Sequence, residues 1–275
     1  MSYSPVIPLQ GYAGWQFLQR TREAQKEAFV AGAAMQREEA YFRERIGSVA
    51  TAEELVSDRR LLSVALGAFG LSDDIDNRYF IRKVLEDGTL TADALANKLS
   101  DKRYLELSQA FGFGDFATPR NRISGFADRI LARFEQVRFE EAVGEQDNSM
   151  RLAMNAEREL PAIAAKSLSV NGKWLSVLGS APLREVMQTA FGLPDAFAAI
   201  DLDQQVEVLK EKAEHFLGSA EVAQFSDPDA TGQLIRLYLA RSQMSGFGAG
   251  YVPGSAALTL LQGTAGAGSL LSLLV

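Results

Sequence analysis

Helix start and stop signals recur along most of this sequence, whereas alternating β-branched runs bounded by turns are almost absent. Thr51 and Glu54 have the spacing of a capping box, in which each side chain can accept a hydrogen bond from the other residue's backbone. Asp147 and the pair Asp227-Pro228 are typical of residues that begin helices. The sequence therefore predicts an all-α fold of packed helical hairpins.

The same signals predict the limits of individual helices. Apolar positions among charged residues predict one long amphipathic helix from Trp15 to near Gly47. Thr118-Pro119 predicts another helix start, because proline needs no hydrogen-bond donor at the first helical position. Pro161 is expected to kink or divide a later helix, and Asn171-Gly172 is expected to form a turn.

A short motif occurs three times, as alanine and phenylalanine followed by glycine and an apolar residue, with an acid at the same later offset. We interpret it as a helix end, in which glycine takes the left-handed conformation and the acid caps the next helix. A ligand-cradling role for the glycine is the alternative. The motif predicts a repeated helix-turn-helix unit. Its copies are Ala68–Leu71 with Asp73, Ala110–Phe113 with Asp115, and Ala190–Leu193 with Asp195.

Three regions are expected along the chain. Residues 1–14 form an N-terminal arm, and residues 15–244 form a helical domain whose two halves meet near residues 145–180. Residues 245–275 form a Gly-, Ser- and Leu-rich tail, and no charge follows Arg241 for 34 residues. Many glycines make independent order costly for such a segment. We therefore expect a flexible C-terminal tail.

The charged and catalytic residue types argue against several kinds of chemistry. The chain has 28 Lys and Arg against 35 Asp and Glu, a formal net charge of −7, so no basic excess favours nucleic acid. It has no cysteine and one histidine, His215, which excludes Cys-based and multi-histidine metal sites. No dinucleotide or P-loop glycine motif is complete. We expect a non-enzymatic protein with no cofactor, no metal and no nucleic-acid partner, with His215 exposed on a helix.

The sequences near the two termini indicate where in the cell the protein is expected. Pro5 and Pro8 interrupt the only apolar stretch near the N-terminus, which lacks the basic region of a signal peptide. The uncharged run near the C-terminus lacks the dense apolar content of a membrane-spanning helix. We therefore expect a cytoplasmic protein with no membrane span.

Two groups of residues are candidates for binding a protein partner. Aromatic residues cluster before the main helical region, and aromatic side chains are typical anchors at interfaces. Leucines near the C-terminus leave apolar surface that favours a partner. For the aromatic group, packing within the chain's own helical bundle is an equal alternative. The candidates are Tyr12, Trp15, Phe17, Leu270, Leu271 and Leu274.

A cytoplasmic helical module that binds a small molecule or a partner peptide is the alternative function. It requires a pocket between helices. The aromatic residues Tyr104, Phe111 and Trp174 are the candidates to line that pocket.

The order of several sequence motifs resembles a bacterial family, domain of unknown function 1217. Its members are helical and are often encoded near flagellar genes, so the resemblance implies an all-α fold and a flagellum-associated structural or assembly role with a flagellar protein partner. The resemblance implies no catalytic residues for this sequence. The likeness extends over most of residues 15–240 and is carried by Phe17–Thr21, Tyr41–Glu44, Thr51–Val56, Asp58–Leu62, Ala68–Leu71, Phe80–Gly88, Asp101–Tyr104 and Ala110–Gly114.

Overall fold

The computed structural model describes residues 3–248, with side chains to residue 244. The regular structure of these residues is helical. No strand occurs among these residues, which confirms the all-α prediction. Short 3-10 turns connect several of the helices. The α-helices are α1 Gly11–Val30, α2 Ala33–Arg45, α3 Ala52–Ser57, α4 Arg59–Gly67, α5 Arg78–Asp87, α6 Leu95–Lys98, α7 Arg103–Phe111, α8 Phe126–Gly144, α9 Asn148–Ala164, α10 Val170–Leu178, α11 Ala181–Phe191, α12 Leu202–Leu217 and α13 Pro228–Gly248.

The helices pack around two hydrophobic cores. Phe42 and Phe111 lie in the first core, which α2 to α5, α7 and the first part of α8 form. Trp174 lies in the second, which α9 to α13 form together with α1. Helix α8 joins the two cores, because Phe134 belongs to the first and Phe139 to the second. The halves therefore meet within α8, earlier in the chain than the predicted region 145–180.

The long helix predicted from Trp15 to Gly47 is wrong, because the chain forms two helices there. Helix α1 ends at Val30, and Gly32 takes an extended conformation before α2. Leu18 of α1 packs in the second core, whereas Phe42 of α2 packs in the first. A break between the helices lets each one pack against its own core.

Several predicted helix ends are confirmed by hydrogen bonds. The Thr51 hydroxyl accepts a bond from the Glu54 amide at 3.1 Å, although the Glu54 carboxylate accepts from Ala50 rather than from Thr51. Asp147 accepts from the Ser149 amide at 2.9 Å, and Asp227 from the Asp229 amide at 3.0 Å. These side chains satisfy amides that have no partner within the first helical turn. Local capping signals therefore marked these helix starts correctly.

The repeated motif ends a helix in all three places. Gly70, Gly112 and Gly192 have φ values of +67°, +66° and +65°, the left-handed conformation that glycine adopts without a side-chain clash. The predicted capping role of the acid is wrong in all three copies, because Asp73 and Asp195 each lie in a short 3-10 turn that begins without a side-chain capping bond. Asp115 instead accepts bonds from the Thr89 amide and hydroxyl at 2.6 and 2.8 Å, which ties the end of α7 to the turn after α5.

The helix start predicted at Thr118-Pro119 is wrong, since α8 begins at Phe126. The intervening segment is held by a long-range contact. The buried Asn121 side chain donates to the carbonyl oxygens of Ile46 and Val49, at 2.7 Å each. This contact fixes the segment against the turn after α2, so it follows tertiary packing rather than the local helix signal.

Two further local predictions differ from the structure. Helix α9 continues through Pro161, so the predicted division is wrong, while the predicted kink stays a prediction. Asn171-Gly172 lies within α10, because the Ser169 hydroxyl accepts a bond from the Gly172 amide at 3.1 Å and caps that helix.

The limits of the three predicted regions also differ from the structure. Helix α1 begins at Gly11, so helix replaces the last part of the predicted arm. Helix α13 continues to Gly248, beyond the predicted domain end at residue 244. Residues 249–275, which include most of the predicted tail, lie outside the described residues.

Candidate partner-binding groove

An open groove runs between α1 and α13, with α9 beneath it. Its volume is about 1050 Å³. Tyr12 and Trp15, two residues predicted from the sequence to bind a partner, both contribute to it. The groove also takes Glu23 and Arg22 from α1, Pro161 and Arg158 from α9, and Asp229 and Arg236 from α13. It therefore brings together residues from both ends of the chain.

The floor of the groove is apolar. Trp15 is only 4% exposed, and Met154 and Ile235 are buried beside it in the second core. Pro161 of α9 is half-buried in the same surface.

The rim of the groove carries polar and charged side chains. At one end the Arg236 guanidinium lies over the ring of Tyr12, with 5.4 Å between the guanidinium carbon and the ring centroid. The Gln16 amide donates to the Tyr12 hydroxyl at 2.9 Å. These contacts orient the Tyr12 ring while the side chain stays 37% exposed. An oriented, exposed aromatic ring is suited to contact with a partner.

Farther along the groove, Glu157 of α9 joins α9 to α1. Its carboxylate accepts from Gln19 at 2.8 Å and forms an ion pair with Arg22. The exposed Asp229 lies at the far end on α13. The rim thus presents a cation at one end and an acid at the other.

The inner wall of the groove is held by a buried ion pair. Arg158 donates to both carboxylate oxygens of Glu140 at 2.9 Å each, a two-bond arrangement that suits a guanidinium. Burial alone lowers the pKa of Arg158, but the hydrogen bond and charge of Glu140 outweigh it, so the pKa is raised. Arg158 therefore stays charged, and it fixes α9 to α8 behind the groove.

The predicted partner-binding residues have different positions. Tyr12 is exposed and Phe17 is half-buried, whereas Trp15 packs in the second core, in line with the alternative of packing within the chain. Binding by these side chains stays a prediction. Leu270, Leu271 and Leu274 lie outside the described residues. No sequence pattern marked Arg236 or Pro161 as groove residues, because their place in the groove depends on how α13 and α9 pack against α1.

The small-molecule pocket predicted at Tyr104, Phe111 and Trp174 is not formed. Phe111 is fully buried in the first core and Trp174 in the second, so they do not share a cavity. The Tyr104 hydroxyl donates to Asp74. Burial and the Asp74 carboxylate raise the pKa of Tyr104, which keeps this hydroxyl protonated as a donor. These aromatic residues therefore have structural roles.

His215 is exposed on α12, as predicted, with 4.7 Å between the centroids of its ring and the Phe216 ring in an edge-to-face arrangement. Within the described part of the chain, no group of three or more histidine, aspartate or glutamate side chains has the arrangement of a metal site. None of the helices in that part is long and apolar enough to cross a membrane.

The fold and groove define an all-α protein with two cores joined by α8 and an open surface between its first and last helices. The sequence profile of a family described as Protein of unknown function (DUF1217) matches residues 68–231, more than half of the chain. The chain belongs to this family.

A crystal structure of an Agrobacterium tumefaciens protein, a structural genomics target, is similar to this chain over 88% of its length and 99% of the other chain's length. The two share 27% sequence identity and superpose with a TM-score of 0.72. The search of curated proteins found no significant match.

Proposed function

We propose that this chain is a non-enzymatic assembly protein that binds a protein partner in the groove between α1 and α13. The observation that carries the proposal is the composition of this groove. Its floor is formed by Trp15, Met154 and Ile235, and charged side chains surround that floor. An apolar centre with a polar rim is the usual arrangement of protein interfaces.

The size of the groove favours a polypeptide over a small molecule. Its volume of about 1050 Å³ is at the upper limit of small-molecule sites, which are roughly 300–1,000 Å³. Along α1 the groove extends from Tyr12 to Glu23, a helical rise of about 16 Å. That length matches about three turns of a partner helix.

The flagellar part of the proposal depends on the family. Membership in the family supports the resemblance found in the sequence, and the resemblance implies a flagellum-associated partner. The test is deletion of the gene in a bacterium that carries it. We expect a defect in motility or flagellar assembly that the wild-type gene restores, and normal motility and assembly in the deletion strain would contradict a flagellar role.

Affinity capture from the same bacterium tests the groove. We expect wild-type protein to retain a flagellar protein that Arg236→Glu loses, because the substitution removes the cation beside Tyr12. Arg43→Glu is the matched control, since Arg43 pairs with Asp128 on the surface around the first core. Equal capture by all three proteins would contradict binding in the groove.

The predicted leucines of the tail need a separate variant. A chain that ends at Met244 keeps the described groove and lacks Leu270, Leu271 and Leu274. Loss of capture by this variant would assign those leucines to the same interaction. Full capture would leave the groove alone as the binding surface.

A further inference from the structure

A second, smaller cavity lies where the two cores meet, away from the floor of the groove. Its volume is about 100 Å³. Phe69 and Gly70 contribute to its wall after α4, and Leu183 contributes at the start of α11. Charged side chains of α7, α8 and α9 complete the lining. The volume equals about three water molecules at their share of liquid volume, which is the size range of a tetrahedral oxyanion.

The charges around this cavity sum to an excess of cations. Six cationic and five acidic side chains line it, and the lining acid Glu141 forms its ion pair with Arg138, outside the lining. The chain as a whole has a net charge of −7, so this cluster has the opposite sign. The lining cations are Lys102, Arg103, Arg133, Arg151, Arg158 and Lys166, and the lining acids are Asp101, Glu106, Glu140, Glu141 and Glu159.

Ion pairs with lining acids engage four of the six lining cations and leave two. Lys102 bonds only to backbone carbonyl oxygens, of Asn97 at 3.1 Å and Leu99 at 2.8 Å. Arg151 bonds to the neutral amide oxygen of Asn148 at 2.9 and 2.6 Å. The excess charge of the cavity therefore lies on Lys102 and Arg151, which a dianion would balance.

Two of the lining residues each have a buried polar atom without a hydrogen-bond partner. These atoms are the Nε of Arg133, a donor, and the Oδ1 of Asn155, an acceptor. Arg133 is held in place by Glu106 at 2.6 Å and by the ring of Phe69, 4.2 Å from the guanidinium carbon. Buried polar groups without partners are costly, so a ligand with both acceptor and donor atoms would stabilise this arrangement.

We propose that this cavity binds inorganic phosphate. Hydrogen phosphate carries two negative charges, acceptor oxygens for Arg133 and the two excess cations, and one hydroxyl that can donate to Asn155. The start of α11 at the cavity adds the partial positive charge of a helix N-terminus.

The test is a titration of the full-length protein with inorganic phosphate, followed by ³¹P NMR line broadening and isothermal calorimetry. We expect saturable binding at one site, weakened at least tenfold in Arg151→Gln and in Lys102→Gln. Arg43→Gln is the matched control because it removes one cation from a remote exposed ion pair. Circular dichroism shows whether each variant is folded.

Specificity provides a second readout that does not depend on the charge variants. Sulfate lacks the hydroxyl at neutral pH, so wild-type protein should bind phosphate at least tenfold more tightly than sulfate. Asn155→Leu should remove most of that preference. Absence of saturable binding to wild-type protein at 10 mM phosphate (roughly the upper range of a useful affinity), or equal affinity in Arg151→Gln and Arg43→Gln, would overturn the proposal.

Discussion

Arg236 of α13 lies over the ring of Tyr12 of α1, with 5.4 Å between the guanidinium carbon and the ring centroid, although the two residues are separated by almost the whole chain. The contact joins the first helix to the last one at the end of an open groove. It leaves part of the Tyr12 ring exposed and fixes its direction. This relationship is the basis of the proposed interface.

Substitution of the two groove aromatics should affect the free energy of unfolding to different extents. Trp15→Ala removes a side chain buried in the second core and should lower the free energy of unfolding by about 3 kcal/mol. Tyr12→Ala should lower it by less than about 1 kcal/mol, because its ring is partly exposed. Urea unfolding measures both. A larger loss in Tyr12→Ala than in Trp15→Ala would contradict the assigned positions.

The Glu140–Arg158 ion pair should be a strong determinant of stability. Glu140→Ala removes both hydrogen bonds from Arg158 to the buried carboxylate and leaves Glu159 as its ion-pair partner, at a cost of about 2 kcal/mol. Glu53→Ala is the control, because its pair with Arg82 is more exposed and should contribute under about 1 kcal/mol. The measurement is chemical unfolding at neutral pH. An equal loss of unfolding free energy in Glu140→Ala and Glu53→Ala would contradict the stabilising role of the Glu140–Arg158 pair.

The left-handed glycine of the repeated motif should not tolerate a side chain. Gly112→Ala places a methyl group 2.8 Å from the Phe116 ring at a positive φ, and should cost about 1–2 kcal/mol. Gly47→Ala is the matched control, since Gly47 has open space around it and no positive φ. Thermal unfolding should show a lower Tm for Gly112→Ala alone. Equal Tm values would contradict the helix-end interpretation.

Glu39 should make stability depend on pH. Burial and the nearby Glu135 carboxylate raise its pKa, and Arg43 opposes this less strongly. A raised pKa in the folded state means that stability is fully present below the ordinary glutamate pKa of about 4.3 and is lost as pH rises through the folded value. Glu39→Gln should therefore raise Tm more at pH 7.5 than at pH 4.

The control for this prediction is Glu44→Gln, an exposed glutamate on the same helix. Its effect on Tm should be small at both pH values. A gain from Glu39→Gln that is larger at pH 4 than at pH 7.5 would contradict the raised pKa.

Local signals in the sequence predicted part of the fold. The caps at Thr51 and Asp147 depend on neighbouring residues only, so they could be predicted from spacing. The segment at Thr118-Pro119 could not, because Asn121 bonds to carbonyl oxygens more than 70 positions away. Helical capping preferences are weaker than such buried long-range bonds.

The candidate site was predicted only in part, for the same reason. Tyr12 stood out as an aromatic residue near the N-terminus, but nothing in the sequence connected it with Arg236 or with Pro161. Their proximity depends on α1 packing in the core of the second half of the chain rather than against its neighbour α2. Sequence patterns indicate local periodicity, and they do not indicate that an N-terminal helix packs in the core of the C-terminal half.

Site-specific photocrosslinking shows whether a protein partner binds in the groove beside Tyr12. A photoreactive phenylalanine analogue replaces Tyr12 in the groove, and in a matched strain it replaces Tyr79, which is 73% exposed on α5 in the other half of the fold. We expect illumination of living cells to crosslink one flagellar protein to position 12. The same crosslink should not form at position 79. The same crosslink at both positions, or no protein crosslinked at position 12, would contradict binding in the groove.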